Sequence, residues 1–235
     1  MKKVAIIQSN YIPWKGYFDI IHDADLFIFY DDIQYTKADW RNRNKIKTPK
    51  GAVWITIPVG PRDDQLICET SPKDDLWQKK HWSRIEQLYS KAPYFKIYME
   101  FFKDFYLGRM WPNLSEMNQY LIKHIAREFL GIKTEFADSR EYVISGKKDV
   151  RLLNLLSKAG AELYISGPSA RDYINENKYR GAKIELIYKD YADYPEYAQF
   201  YPPFDHNVSI IDLLFHVGKD APEYIWGWRK TAKRE

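Results

Sequence analysis

The sequence predicts an α/β fold built on a parallel sheet, and three observations carry that expectation. Residues 4–8 and 26–30 are short apolar runs bounded by polar residues, which read as buried strands. Between them, residues 16–23 place Phe18, Ile20 and Ile21 at helical spacing, so the first thirty residues form a βαβ unit with a right-handed crossover. Strand-like and helix-like segments alternate again toward the C-terminus. A helix over 150–158 ends at Gly160, strands follow at 163–165 and 184–188, and a closing helix at 210–215 has Ser209 as its N-cap.

In the middle of the chain, residues 53–59 read as a strand ended by Pro58 and a Gly60-Pro61 turn. Residues 75–90 and 113–130 carry helical periodicity. In the second, Leu114, Met117, Leu121, Ile125 and Phe129 recur every three or four positions, and Gly131 is a C-cap. Repeats, low-complexity stretches and linkers are absent from the sequence. A single α/β domain over 1–235 is expected, with 72–130 as a mostly helical, aromatic-rich insertion packed over it.

Composition narrows the class. At 235 residues, 29% charged and 45% hydrophobic, the chain is long and apolar enough for one substantial core. Aromatic residues reach 17%, with 8 Trp and 19 Tyr, which excludes disorder and suits clefts that stack on sugar or base rings. Core packing accounts for most of them. The net charge of +4 owes much to a basic tail at 230–234, and elsewhere cations and anions interleave, a weak argument for an anionic partner. The single cysteine, Cys68, leaves no disulfide, no CxxC zinc site and no activated thiol. The apolar start breaks at Gln8-Ser9-Asn10, too short for a signal peptide, and no stretch spans a bilayer; a cytoplasmic protein without membrane insertion is expected.

Three stretches carry candidate chemistry. Gln8-Ser9-Asn10-Tyr11-Ile12-Pro13-Trp14-Lys15-Gly16-Tyr17 brings amide, hydroxyl and aromatic groups to a turn that enters a helix, where free N–H groups and the helix dipole suit an anion or carbonyl oxygen. Trp14-x-Gly16-Tyr17 has the spacing of the HxGH signature of nucleotidylyltransferases, with aromatics in place of the cationic histidines that such transfer needs. A turn with packing aromatics is the plainer reading.

The second stretch is Asp31-Asp32-Ile33-Gln34-Tyr35, then Trp40-Arg41-Asn42-Arg43-Asn44-Lys45. If the strand persists, Asp31 and Asp32 point opposite ways and one at most faces a cleft. The alternating guanidinium and amide groups suit phosphate or carboxylate, or else a solvated face. Since ligands sit at the carboxyl ends of parallel strands, both polar clusters belong on that edge. In the third stretch, Ile165-Ser166, Ser169 and Arg171 match part of the ISSTxIR phosphate-binding segment of the same nucleotidylyltransferases, as a capped Gly-Pro turn also would. Of the histidines, His81 is a candidate base or a structural residue, His124 belongs to a helix among apolar neighbours, and His22, His206 and His216 lack metal-ligand spacing, so no metal is expected. GxSxG, Walker and GxGxxG patterns are absent from the sequence.

Taken together, the segments resemble the WbqC-like family. The matching pieces are 8–18, 30–35, 41–44, His81 with Tyr89-Ser90-Lys91-Ala92-Pro93, 166–173, Tyr197-Ala198-Gln199 and 209–215, in the expected order over nearly the whole chain. The resemblance implies a place among bacterial O-antigen and surface-polysaccharide genes, and hence work on sugar nucleotides; it implies no particular reaction. The expected fold is accordingly a Rossmann-like sheet, distantly like HxGH-type nucleotidylyltransferases.

From these readings the expected activity is transfer of an acyl or aminoacyl group to the amino group of a nucleotide-linked sugar. Gln8, Asn10 and Tyr11 would bind the acyl group or its oxyanion, and Asp32 or His81 would take the amine proton. Arg41, Arg43 and Arg171 would bind phosphates. Trp14, Tyr17, Tyr35, Trp40, Asn42, Asn44, Ser166 and Ser169 complete the expected substrate contacts. No cofactor is required by the sequence; the donor is ATP-activated or rides on a charged acyl or aminoacyl carrier such as aminoacyl-tRNA. Nucleotidyl transfer to a sugar phosphate and non-catalytic binding of a sugar nucleotide are the alternatives.

Overall fold

A computed structural model of the protein describes residues 1–60, 64–172 and 174–229; Pro61 of the expected turn, Tyr173 and the basic tail at 230–234 lie outside them. In chain order the elements are β1 (Lys3–Ile7), α1 (Lys15–Asp23), β2 (Leu26–Phe29), β3 (Arg43–Thr48), β4 (Gly51–Thr56), α2 (Leu76–Tyr89), α3 (Phe95–Leu107) and α4 (Leu114–His124). They continue with β5 (Glu135–Asp138), α5 (Lys148–Lys158), β6 (Leu163–Ser166), α6 (Glu176–Gly181), β7 (Glu185–Tyr188) and α7 (Ile210–Val217). Short 3-10 segments join several of them.

Every residue of β2 is buried because its sheet is covered on both faces. Phe27 and Phe29 join Ala5, Leu163 and Ile165 in one core, together with side chains of α1 to α4 and α7. Leu26 and Ile28 join Val4, Ile6 and Tyr164 in a second core under α5 and α6. The strands thus need apolar residues at consecutive positions, which is why they read as runs rather than as alternation.

Among the described residues the main sheet has five parallel strands in the order β5-β2-β1-β6-β7. The chain moves outward from β1 through β2 to β5, then returns across to β6 and β7. Helices cover one face during the outward half and the other during the return, as right-handed crossovers require. The reversal falls between β1 and β6, and that is where a parallel sheet opens a crevice at its carboxyl edge.

The structure departs from the sequence reading in the middle of the chain. A strand expected at 53–59 is instead β4, paired antiparallel with β3 as a separate hairpin in the register Arg43↔Thr56 and Lys45↔Trp54. The strand β3 went unread because its outward positions are cationic. The helix expected over 113–130 is α4 followed by a π-turn at Ile125–Phe129, ended by Gly131 at φ +66°. Ser209 caps α7 as expected, its Oγ accepting from the Ile211 N–H at 3.3 Å.

Candidate functional site

The two aspartates after β2 do point opposite ways. Asp31 is fully buried and accepts from the Ser9 backbone N–H at 2.8 Å, Ser115 Oγ at 2.6 Å and Gln119 Nε2 at 3.2 Å, so it ties the turn after β1 to α4. Asp32 turns toward α5. Its carboxylate accepts from Arg151 Nη2 at 2.5 Å and from Ser139 Oγ at 2.5 Å, and the Arg151 guanidinium lies 5.3 Å from the Tyr30 ring centre. Both Asp32 oxygens are engaged, so this carboxylate orients a cation and is not placed as the expected proton acceptor.

The turn from Gln8 to Tyr17 is built from inside. Ile12 sits at φ +34°, a region β-branched residues avoid at a cost of about 1–3 kcal/mol. It is held there by Asn44, whose Nδ2 donates to the carbonyls of Tyr11 at 3.0 Å and Ile12 at 2.9 Å. The Tyr17 hydroxyl donates to the Gln8 carbonyl at 2.9 Å, and its ring packs on Phe27. At Gly16 a β-carbon would come within 2.3 Å of the Trp14 ring, so this glycine admits an indole. The first turn of α1 is correspondingly buried, with Lys15 and Tyr17 under 5% exposed, and the expected anion site at that helix start is closed by Trp14 packing.

Tyr11 and His81 belong to the core. Tyr11 is fully buried, and its hydroxyl lies 2.8 Å from His81 Nδ1 and 2.6 Å from the Tyr106 hydroxyl. Burial pushes the His81 imidazole down to about 4, against a smaller upward pull from its bond to the Thr56 backbone, so it is neutral near pH 7. A core histidine whose Nδ1 is bonded to the Tyr11 hydroxyl replaces the expected general base, and a core tyrosine replaces the expected oxyanion ligand.

The run from Arg41 to Lys45 alternates because it leads into a strand. Asn42 and Asn44 face inward: Asn42 Nδ2 donates to the Ile57 carbonyl at 2.8 Å, and both amides are buried by the fold. They are structural rather than the expected substrate contacts, although Asn44 also reaches a cavity. Arg41 donates to Asn10 Oδ1 and to Asp39 Oδ2 at 3.4 Å, which joins the first two stretches directly. The backbone N–H of Tyr11 donates to the Trp40 carbonyl at 2.9 Å. Arg43 lies over the Trp54 ring at 4.2 Å. Tyr35 is buried in the core, its backbone N–H donating to the Gln65 carbonyl at 2.8 Å.

The third stretch does not join them as expected. Ser166 is buried, its Oγ 3.3 Å from the Tyr164 hydroxyl. Ser169 and Arg171 are exposed, and the Arg171 guanidinium lies 4.8 Å from the Tyr188 ring on the outer strand β7. The short 3-10 segment Pro168–Asp172 turns them away from β1.

Two cavities flank the Gln8–Tyr11 turn. The larger, about 580 Å³, lies at the reversal between β1 and β6 and is lined by Ile6, Gln8, Tyr30, Tyr164, Lys148 and Arg151, with Leu152, Asp149, Ile33 and Gln34. The smaller, about 230 Å³, is lined by Asn10, Pro13, Trp14, Trp40, Asn44 and Asn207, a set of amides and indoles. The sequence reading missed Tyr30, Tyr164, Lys148 and Arg151 as wall residues. Tyr30 follows the apolar run of β2 and Tyr164 lies within that of β6, which was the available signal; α5 offered none.

Several of the segments that carry the family resemblance meet in the core. Asp212, on α7, is 1% exposed and accepts from the hydroxyls of Tyr89 at 2.9 Å and Tyr197 at 2.7 Å and from Gln199 Nε2 at 2.9 Å. The Tyr89 hydroxyl in turn accepts from the Lys47 N–H at 2.9 Å, fastening the β3–β4 hairpin to α2 and α7. Asp19, His22 and Asp23 offer ligand atoms within 4.8 Å of one another, yet the Asp19 carboxylate already receives Lys189, Arg229 and Tyr194. Those cations neutralise the group, and it does not suit a metal. Among the described residues no helix is long and apolar enough to cross a membrane.

Fold and site together define an α/β protein with paired cavities at the carboxyl edge of a parallel sheet. The chain belongs to the WbqC-like protein family, which it matches over residues 8–224. It is 47% identical over 227 residues to Rv1507c of Mycobacterium tuberculosis, described as an uncharacterized protein, covering 96% of this chain and 98% of that one. No solved structure matches the chain.

Proposed function

We propose that the protein binds a nucleotide-linked amino sugar across the Gln8–Tyr11 turn and transfers an acyl or aminoacyl group to the sugar nitrogen, as a step in bacterial surface-polysaccharide synthesis. The observation that carries the reading is the larger cavity. It lies in a parallel sheet of order β5-β2-β1-β6-β7, which supports a Rossmann-like reading in which the ligand occupies the reversal point. Its volume of about 580 Å³ lies within the usual range for small-molecule sites. Tyr30, Tyr164, Ile6 and Leu152 supply an apolar and aromatic wall for a base, while Lys148 and Arg151 supply cations for a diphosphate. The start of α5 replaces the blocked start of α1 as the anion-facing helix end.

The smaller cavity suits the sugar, because amides bond hydroxyls and indoles stack on the apolar face of a pyranose ring. The proton released by the amine goes to the leaving oxygen of an activated ester, so the step needs no free carboxylate from the protein. Asp32 acts by holding Arg151. Incubation with amino-sugar nucleotides, ATP and candidate acyl or aminoacyl donors tests the reading by mass spectrometry. A mass gain on the sugar nucleotide supports it, and no gain with any donor overturns it.

One observation favours the non-catalytic alternative: both expected proton acceptors, Asp32 and His81, are engaged within the fold. Saturable sugar-nucleotide binding without turnover supports that reading. Nucleotidyl transfer finds no support at Trp14 and Tyr17, which are packed aromatics without positive charge, and pyrophosphate release would mark it.

A further inference from the structure

Trp40 and the β3–β4 hairpin form an exposed aromatic and cationic patch of which the sugar-nucleotide site uses Trp40 alone. Trp40 and Trp54 are each 40% exposed, with ring centres 5.1 Å apart. The Arg43 guanidinium lies 4.2 Å from the Trp54 ring centre and Lys45 Nζ 5.3 Å from it. Cross-strand pairing of Lys45 with Trp54 sets this arrangement on one face of the hairpin. Among the described residues, no carboxylate is paired with Arg43 or Lys45, both of which are half-buried against Trp54. Trp40 is also a wall of the smaller cavity, so patch and cavity are continuous.

We propose that this patch binds the unpaired end of an RNA, and that the acyl donor arrives on that end. Two indoles offer stacking faces to unpaired bases, and two cations without protein counterions offer charge to the backbone between them. A neutral oligosaccharide would use the indoles but leave both cations without a role. The proposal rests on the transfer reading above and names its donor: an aminoacyl ester of the terminal ribose. In that step the sugar nitrogen forms a bond to the carbonyl carbon, the ester C–O bond breaks, and the amine proton ends on the ribose hydroxyl. Atoms balance without ATP or any further reactant.

The test is fluorescence anisotropy of the intact protein with a labelled single-stranded RNA ending in CCA, beside a blunt duplex and a neutral oligosaccharide. The single strand should bind more tightly than the duplex, and Trp54→Ala should weaken it about tenfold with an unchanged circular dichroism spectrum. Arg43→Gln with Lys45→Gln should flatten the dependence of affinity on salt. Because Trp54 lines neither cavity, sugar-nucleotide affinity should stay unchanged in Trp54→Ala. Equal binding of single strand and duplex, an unaltered affinity in Trp54→Ala, or oligosaccharide binding in place of RNA overturns the proposal. Sugar-nucleotide binding that survives such a result leaves the reading of the larger cavity standing, and RNA binding without sugar-nucleotide binding separates the two the other way.

Discussion

Arg151 reaches from the wall of the larger cavity to the Asp32 carboxylate at 2.5 Å, joining the carboxyl end of β2 to α5 over a sequence separation of 119 residues. The pair is partly open, with side-chain exposures of 20% and 15%, so its worth lies in aiming a guanidinium more than in stabilising the fold.

Replacing Arg151 with Met keeps the aliphatic stem and removes the charge. Sugar-nucleotide affinity should fall about tenfold, the equivalent of about 1.4 kcal/mol, as isothermal calorimetry would record. An unchanged affinity would remove Arg151 from the site.

The buried His81 gives stability a defined pH dependence. Its pKa is lowered from an ordinary value near 6.5 to about 4 by burial, so between those limits the unfolded chain holds the proton more tightly. The contribution is complete above pH 6.5 and is lost on acidification, by about 1.4 kcal/mol for each pH unit down to about 4. Urea denaturation across this range should show that slope in the wild type, and His81→Asn should flatten it.

Lys15 is a second buried base, shifted in the same direction at higher pH. It is 4% exposed, surrounded by the rings of Tyr194, Tyr197 and Phe204, and its Nζ donates to the Pro195 carbonyl at 3.3 Å. Burial pushes its pKa down to about 8, against the pull of Asp19 and Glu196. The folded state is therefore penalised below pH 8, and stability rises as pH climbs from about 8 toward 10.5. Lys15→Met should raise stability at pH 7 by about 2 kcal/mol and abolish the alkaline rise, read from chemical denaturation.

Asn44 holds two carbonyls of the strained turn, so Asn44→Ala should cost about 2–3 kcal/mol in denaturation experiments. The same variant should weaken sugar-nucleotide binding more than its loss of stability alone explains, because Ile12 is then free to leave its positive φ.

Much of the sheet was legible because β1, β2 and β6 are apolar on both faces. Asp31 and Asp32 lie beyond the end of β2 at Phe29, and their opposed directions are set by separate partners, Ser9 with Ser115 and Arg151 with Ser139. The hairpin was hidden by its chemistry. Asn42 and Asn44 look like ligand-binding amides in a basic run, and only the pairing of β3 with β4 shows that they face inward. His81 and Tyr11 were misjudged for a related reason: their partnership spans 70 residues, and a satisfied core network leaves no mark in the sequence around either one. The Gln8–Tyr17 and Arg41–Asn44 stretches met as expected, through Arg41 and Asn10, whereas Arg171 was carried to the outer strand by a 3-10 turn that local sequence did not announce.

The most direct test of the account is a crystal structure with a UDP-linked amino sugar at saturating concentration. The account predicts the uracil against Tyr30 and Tyr164, the diphosphate at Lys148 and Arg151, and the sugar toward Asn10 and Trp14. Ligand density remote from the Gln8–Tyr11 turn, or none in either cavity, would contradict it.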